Sequence, residues 1–235
     1  MQKMILVLLR RANFRAVCAS ALAMSTALGF GTYAFASSTS SFSQAITAGT
    51  LTTDIRSTAT TTVASPAVTM TSKAFSFSCQ SGGSASTGTF GSSSQRIYVD
   101  NPGADNNGFT LALAAPTATT TWAQATTTPT LFFDFNDSTG SGCTDGADAD
   151  SYGGQLTVNP SAGSITTDYS GSSTTGISLG SQTAFVEGST NSITLVTAAA
   201  SSADVWRGYF TGIGMSQTIP AEQTPESYTI NLTLT

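Results

Sequence analysis

Apolar residues alternate with Ser, Thr and Asn along most of this chain. That pattern specifies an all-β protein: an antiparallel β-sandwich, Ig-like or jelly-roll-like, with one disulfide and little or no helix once an N-terminal leader is removed. Two further observations agree. Gly, Ser, Asn and Pro separate the alternating runs, as turns between strands require. No stretch has helical period over several turns; "TAAASSAD" (197–204) has room for one short turn.

The leader comes first. "MQKMILVLLRRANFR" carries Lys3, Arg10, Arg11 and Arg15 and no acid, and an uncharged run follows to Ala36. It ends Ala34-Phe35-Ala36, the small residues a signal peptidase reads, so residues 1–36 are expected to be a secretory signal peptide. An uncleaved anchor fits the length of the run. Gly29 and Gly31 favour cleavage by breaking the helix before the site. Cys18 lacks the preceding leucine of a lipoprotein site. Residues 37–235 are then one exported domain without a further membrane span.

Within that domain the strands are read in order. "KAFSFSC" (73–79) alternates Phe75, Phe77 and Cys79, and "RIYVD" (96–100) alternates Ile97 and Val99. "FTLALA" (109–114) points Phe109, Leu111 and Leu113 one way before Pro116 ends it. "LFFDF" (131–135), "QLTVNP" (155–160), "TAFVE" (183–187), "SITLV" (192–196) and "VWRGYF" (205–210) follow. "YTINLTLT" (228–235) closes the chain with Tyr228, Ile230, Leu232 and Leu234 on one face. Residues 79–95 and 135–155 read as loops, rich in Gly and Ser.

Past residue 36 the chain keeps four basic residues, Arg56, Lys73, Arg96 and Arg207, against all 13 acidic ones, a net charge of −9. That sign excludes nucleic acid and anionic membranes as expected partners, because both need basic patches. Two cysteines remain, Cys79 and Cys143, and an even count in an exported chain reads as a disulfide. Closing that loop is worth roughly 4 kcal/mol in the chain-entropy account.

Catalytic residue types are scarce, and no enzyme activity is expected. The chain has no histidine. "GISLG" (176–180) has the G-x-S-x-G spacing at Ser178, but a serine nucleophile needs a base that is missing here. Glu187, Glu222 and Glu226 are carboxylates with nothing to pair them across a cleft. One metal remains open. Asp134, Asn136, Asp137, Asp145, Asp148 and Asp150 crowd hard oxygen donors into one segment, which suits calcium. The spacing is not that of an EF-hand, since Thr139 stands where its loop needs glycine; a solvated turn-rich loop reads the same way. "VDNPGADNNG" (99–108), with Asp100, Asp105 and Asn107, carries the same ambiguity. Trp122, Trp206, Tyr152 and Tyr209 would form a sugar-stacking face or serve as core and turn caps.

Two family resemblances enter on particular residues. In "QRIYVDNPGADNNGFTLALAA" (95–115), Val99-Asp100 leads through a glycine turn to Gly108-Phe109-Thr110-Leu111. "IPAEQTPESYTINLTLT" (219–235) places Tyr228 before a last strand ending Leu232-Thr233-Leu234. Both blocks resemble those of bacterial WxL surface domains, with Phe109 and Leu232 where that family has tryptophan. The resemblance implies noncovalent association with cell-wall glycan or other surface proteins. "SFSQAITAGTLTTDI" (41–55) is similar to the start of camelysin-type matrix fibre proteins, with Ala48 to Leu51 as its Ala-Gly-Thr-Leu strand. This implies a homopolymer in which Phe42 and Ile46 plug a neighbour's groove. The expectation is a secreted surface protein, structural or adhesive, with fibre assembly and carbohydrate binding as alternatives.

Overall fold

A computed structural model describes residues 43–47, 49–103, 107–117, 119–146, 150–200, 202 and 204–235. Residues 1–36, read from the sequence as a signal peptide, and Phe42, Asp105 and Asp148 lie outside the described residues. The chain falls into two units, Met1–Ile46 and Thr47–Thr235. Of the first, residues 43–46 are described and belong to no strand or helix, and Ile46 is 92% exposed.

The second unit is all β. Its strands are β1 (Thr52–Thr58), β2 (Thr61–Thr62), β3 (Ser86–Phe90), β4 (Arg96–Asn101), β5 (Phe109–Ala114), β6 (Trp122–Gln124), β7 (Phe132–Phe133) and β8 (Gln155–Asn159). They continue with β9 (Ser164–Thr167), β10 (Ile177–Leu179), β11 (Thr183–Ala184), β12 (Ser192–Ala198), β13 (Trp206–Thr211), β14 (Ile213–Thr218), β15 (Tyr228–Thr229) and β16 (Thr233–Leu234). Every pairing is antiparallel. Among the described residues helix is limited to three short 3-10 turns, and no helix is long and apolar enough to cross a membrane.

The ladders run β2-β1-β4-β13-β9, β11-β8-β14-β3, β10-β12-β5-β16 and β15-β6-β7. The first two share one set of chain paths. β3 leads into β4, β13 into β14, and β8 into β9, and each pair occupies corresponding positions in the two ladders. They meet where β13 passes to β14 through Gly212, at φ 80°, a conformation that glycine adopts without steric cost. Gly212 N–H donates to Gly91 O at 2.8 Å across the junction. This double-length layer and the β10-β12-β5-β16 sheet contribute to one core cluster, which makes the sandwich.

Local pattern explains each face. β5 alternates Phe109, Leu111 and Leu113 inward as its sequence requires. β12 buries Leu195 and Val196 in succession because the register shifts between Thr194 and Val196, and a bulge reverses the alternation. β13 turns Trp206 and Phe210 into the core with Gly208 between them. A Cβ at Gly208 would run into the indole of Trp206, so only glycine leaves room for that ring. Cys79 and Cys143 form the expected disulfide, with their Cα atoms 5.6 Å apart.

Several strand expectations need correction. "KAFSFSC" is not a strand, and Phe75 and Phe77 are 45% and 79% exposed. The segment has no ladder beside it: Gln80 bridges Ile219, and Ser76 O accepts from Glu222 N–H. "LFFDF" contributes only Phe132–Phe133 to a ladder, and "TAFVE" only Thr183–Ala184. β3 runs through the segment read as a loop, because β14 offers it an edge.

Candidate functional site

The acidic segment divides between inside and outside. Asp134 is buried, and its Oδ1 accepts the Phe135 N–H at 2.9 Å. Its own N–H donates to Gly153 O, and the Asp137 N–H to Gly154 O, so the segment is strapped to the chain just before β8. Asn136 bridges Gln155 and is buried; Asp137 is 0% exposed. Asp145 and Asp150 are exposed, and Asp150 Oδ1 accepts the Tyr152 N–H in a local turn. A Cβ at Gly146 would run into Asp137 Oδ1 and come close to Glu187 Oε2, so both carboxylates face that glycine. Glu187 was not a member of the expected ligand set. Among the described residues no group of three or more His, Cys, Asp or Glu gathers as a metal site.

The residues of the WxL-like blocks hold the fold. Val99, Phe109 and Leu111 are core, with the Phe109 ring 5.8 Å from Trp206. Gly108 takes a positive φ at the turn into β5. Asp100 pairs with Arg56 at 2.6 Å. Burial alone would lower the Arg56 pKa, but hydrogen bonds and charge from Asp100 and Asp54 outweigh it, and the pKa is raised. Tyr98 lies beneath Arg56 and beside Tyr209, and Arg96 stacks over Tyr209 at 4.7 Å. Burial pushes the Tyr98 phenol up, and the Arg96 hydrogen bond opposes it only in part.

The four aromatics expected as one stacking face are dispersed. Trp206 is 2% exposed, its Nε1 donating to Ser173 O at 3.0 Å, so it presents no free ring face. Tyr209 packs tilted against Tyr98, and Tyr152 lies 6.0 Å from Phe132. Of the four, Trp122 lines a cavity. It stacks on Phe133 at 5.6 Å and 4°, and Tyr228 meets Phe133 edge-on at 5.0 Å. Buried Gln217 fixes this group: its Oε1 accepts the Trp122 Nε1–H at 2.9 Å, and its Nε2 donates to Asp134 O and Thr218 O. The cavity beside them, about 170 Å³, is also lined by Lys73, Phe75, Gln80 and Gln223. Only Trp122 and Tyr228 of this group were singled out from the sequence.

A larger apolar groove, about 580 Å³, runs along the last strands. Ile230, Leu232 and Leu234, half-buried, form one wall, Val68 and Met70 another, with Ile55, Phe90, Leu113 and Met215 along it. No family model matches this chain, and neither a curated protein nor a solved structure matches it.

Proposed function

We propose that this is an exported bacterial surface protein with a structural role, assembling by lending its N-terminal segment to a neighbouring copy. One observation carries the reading: the sandwich leaves an apolar groove of about 580 Å³ open along β15 and β16, while Ile46 stands 92% exposed on a segment that belongs to no strand. An exposed apolar side chain on an arm outside every sheet and an unfilled groove are the two halves that strand addition would join. The Cys79–Cys143 bridge suits the oxidising exterior. The WxL-like residues Val99, Phe109 and Leu111 face the core, so they support a shared fold more than a direct wall contact.

A second reading, noncovalent association with cell-wall glycan, is favoured by the aromatic cavity at Trp122. Sedimentation separates the two. The chain from residue 37 is spun alone and with washed bacterial sacculi, beside a variant lacking residues 37–47. Assembly by strand addition predicts pelleting or fibres without sacculi, lost in the deletion. Pelleting only with sacculi, unchanged by the deletion, refutes it and supports the wall reading.

A further inference from the structure

We infer that the cavity at Trp122 is a saccharide subsite that takes one uncharged pyranose ring. The inference deepens the glycan reading and rests on it only for the source of that ring.

Size and chemistry both point there. At about 170 Å³ the cavity holds less than the roughly 300–1,000 Å³ of pockets that enclose a drug-sized ligand, so its occupant is a single ring and not a strand or a chain. Three aromatic side chains form a wall: Trp122 stacked on Phe133, with Tyr228 edge-on. Phe75, 45% exposed, adds a fourth at the lip. The C–H face of a pyranose packs on such surfaces while its hydroxyls need hydrogen-bond partners.

Those partners line the same cavity. Gln80 uses its Nε2 on Ala74 O at 2.9 Å, and Gln223 its Nε2 on Phe132 O and the Tyr228 hydroxyl. Among the described residues neither Oε1 has a donor, and the Ser72 hydroxyl and the Lys73 ammonium have no partner either. Unlike them, Gln217 has both amide atoms engaged within the protein; it positions Trp122 and has no role in contacting the ring. The charged lining is one lysine, Lys73, and one glutamate, Glu226, so the site favours neither an anionic nor a cationic ligand.

Tryptophan fluorescence reads the site directly. The chain has two tryptophans, and Trp206 is shielded in the core, so a ligand-dependent change reports Trp122. The protein from residue 37 is titrated with millimolar glucose, galactose, N-acetylglucosamine and glucuronate. The expected result is a saturable change with at least one neutral sugar and a weaker one with glucuronate. Phe75→Ser and Gln223→Ala should each weaken binding about fivefold or more, Phe75→Ser with Tm unchanged and Gln223→Ala with a lower Tm because it also loses the bonds to Phe132 O and the Tyr228 hydroxyl, and Phe77→Ser, outside the cavity lining, should bind as the parent does. No saturable change with any neutral sugar overturns the inference, as does parental affinity in both variants. If sacculi pellet the protein while no sugar binds, the subsite falls and the wall reading survives. If sugars bind while sacculi leave the protein in solution, the subsite stands and the wall is not the source of the ring.

Discussion

Gln217→Met tests whether the polar knot under β14 holds the aromatic group in place. The substitution keeps volume and buries no new charge. It removes three hydrogen bonds: Trp122 Nε1–H to Oε1 at 2.9 Å, and Nε2 to Asp134 O at 3.0 Å and to Thr218 O at 2.8 Å. At about 1 kcal/mol net for each bond, the loss comes to about 3 kcal/mol. Leaving the indole N–H without its partner keeps it from being less. For a domain of this size that lowers Tm by about 6–12 °C. Urea unfolding measures it directly. A double-mutant cycle with Trp122→Phe isolates the indole bond, with an expected coupling of about 1 kcal/mol. A loss under about 0.5 kcal/mol, with no coupling to Trp122, would refute the argument, because that is the size of an ordinary surface substitution.

Three other outcomes follow from the same structure. Replacing Cys79 and Cys143 together by serine should cost roughly 4 kcal/mol by the chain-entropy account, read as a lower urea midpoint than the oxidised parent. The Tyr98 phenol is raised by burial, so the folded state holds its proton longer than the unfolded one. Its contribution is intact below the unfolded value of about 10 and is lost as pH rises from there through the folded value. Melting curves above that pH should fall less steeply in Tyr98→Phe; equal slopes refute the assignment. A calcium ion held anywhere in the acidic segment from Asp134 to Asp150 would stabilise by about 2.7 kcal/mol at a hundredfold excess over its Kd, and an identical Tm in EDTA and in calcium removes the ion from the account.

Legibility in the sequence followed the presence of a neighbour. "FTLALA" became β5 over the expected residues because its period matches one buried face and two partners pair with it. "KAFSFSC" shows the same period and became an exposed segment, because period two reports the shape of a strand and not the existence of an edge to receive it. β14 was missed for the opposite reason. "IGMSQT" alternates Ile213, Met215 and Gln217 inward, and a buried glutamine does not look apolar. The disulfide followed from counting cysteines. The cavity at Trp122 did not, since Phe75, Gln80, Phe133, Gln217 and Gln223 come from five separated positions that only the folded chain brings together.

The double-length layer also constrains the order in which the molecule forms. Its central path is β13 with β14, residues 206–218, and both ladders are built around it. β4 pairs with β13 across more than a hundred residues, and β3 with β14 across a similar span. Such non-local pairing makes folding slow, because distant segments must meet before either gains a contact. A chain delivered from its N-terminus therefore holds β3, β4, β8 and β9 without their shared partner until nearly all of it has emerged. The topology therefore delays closure of the double-length layer until residues 206–218 are available, although β1 with β4 and β8 with β11 pair without them.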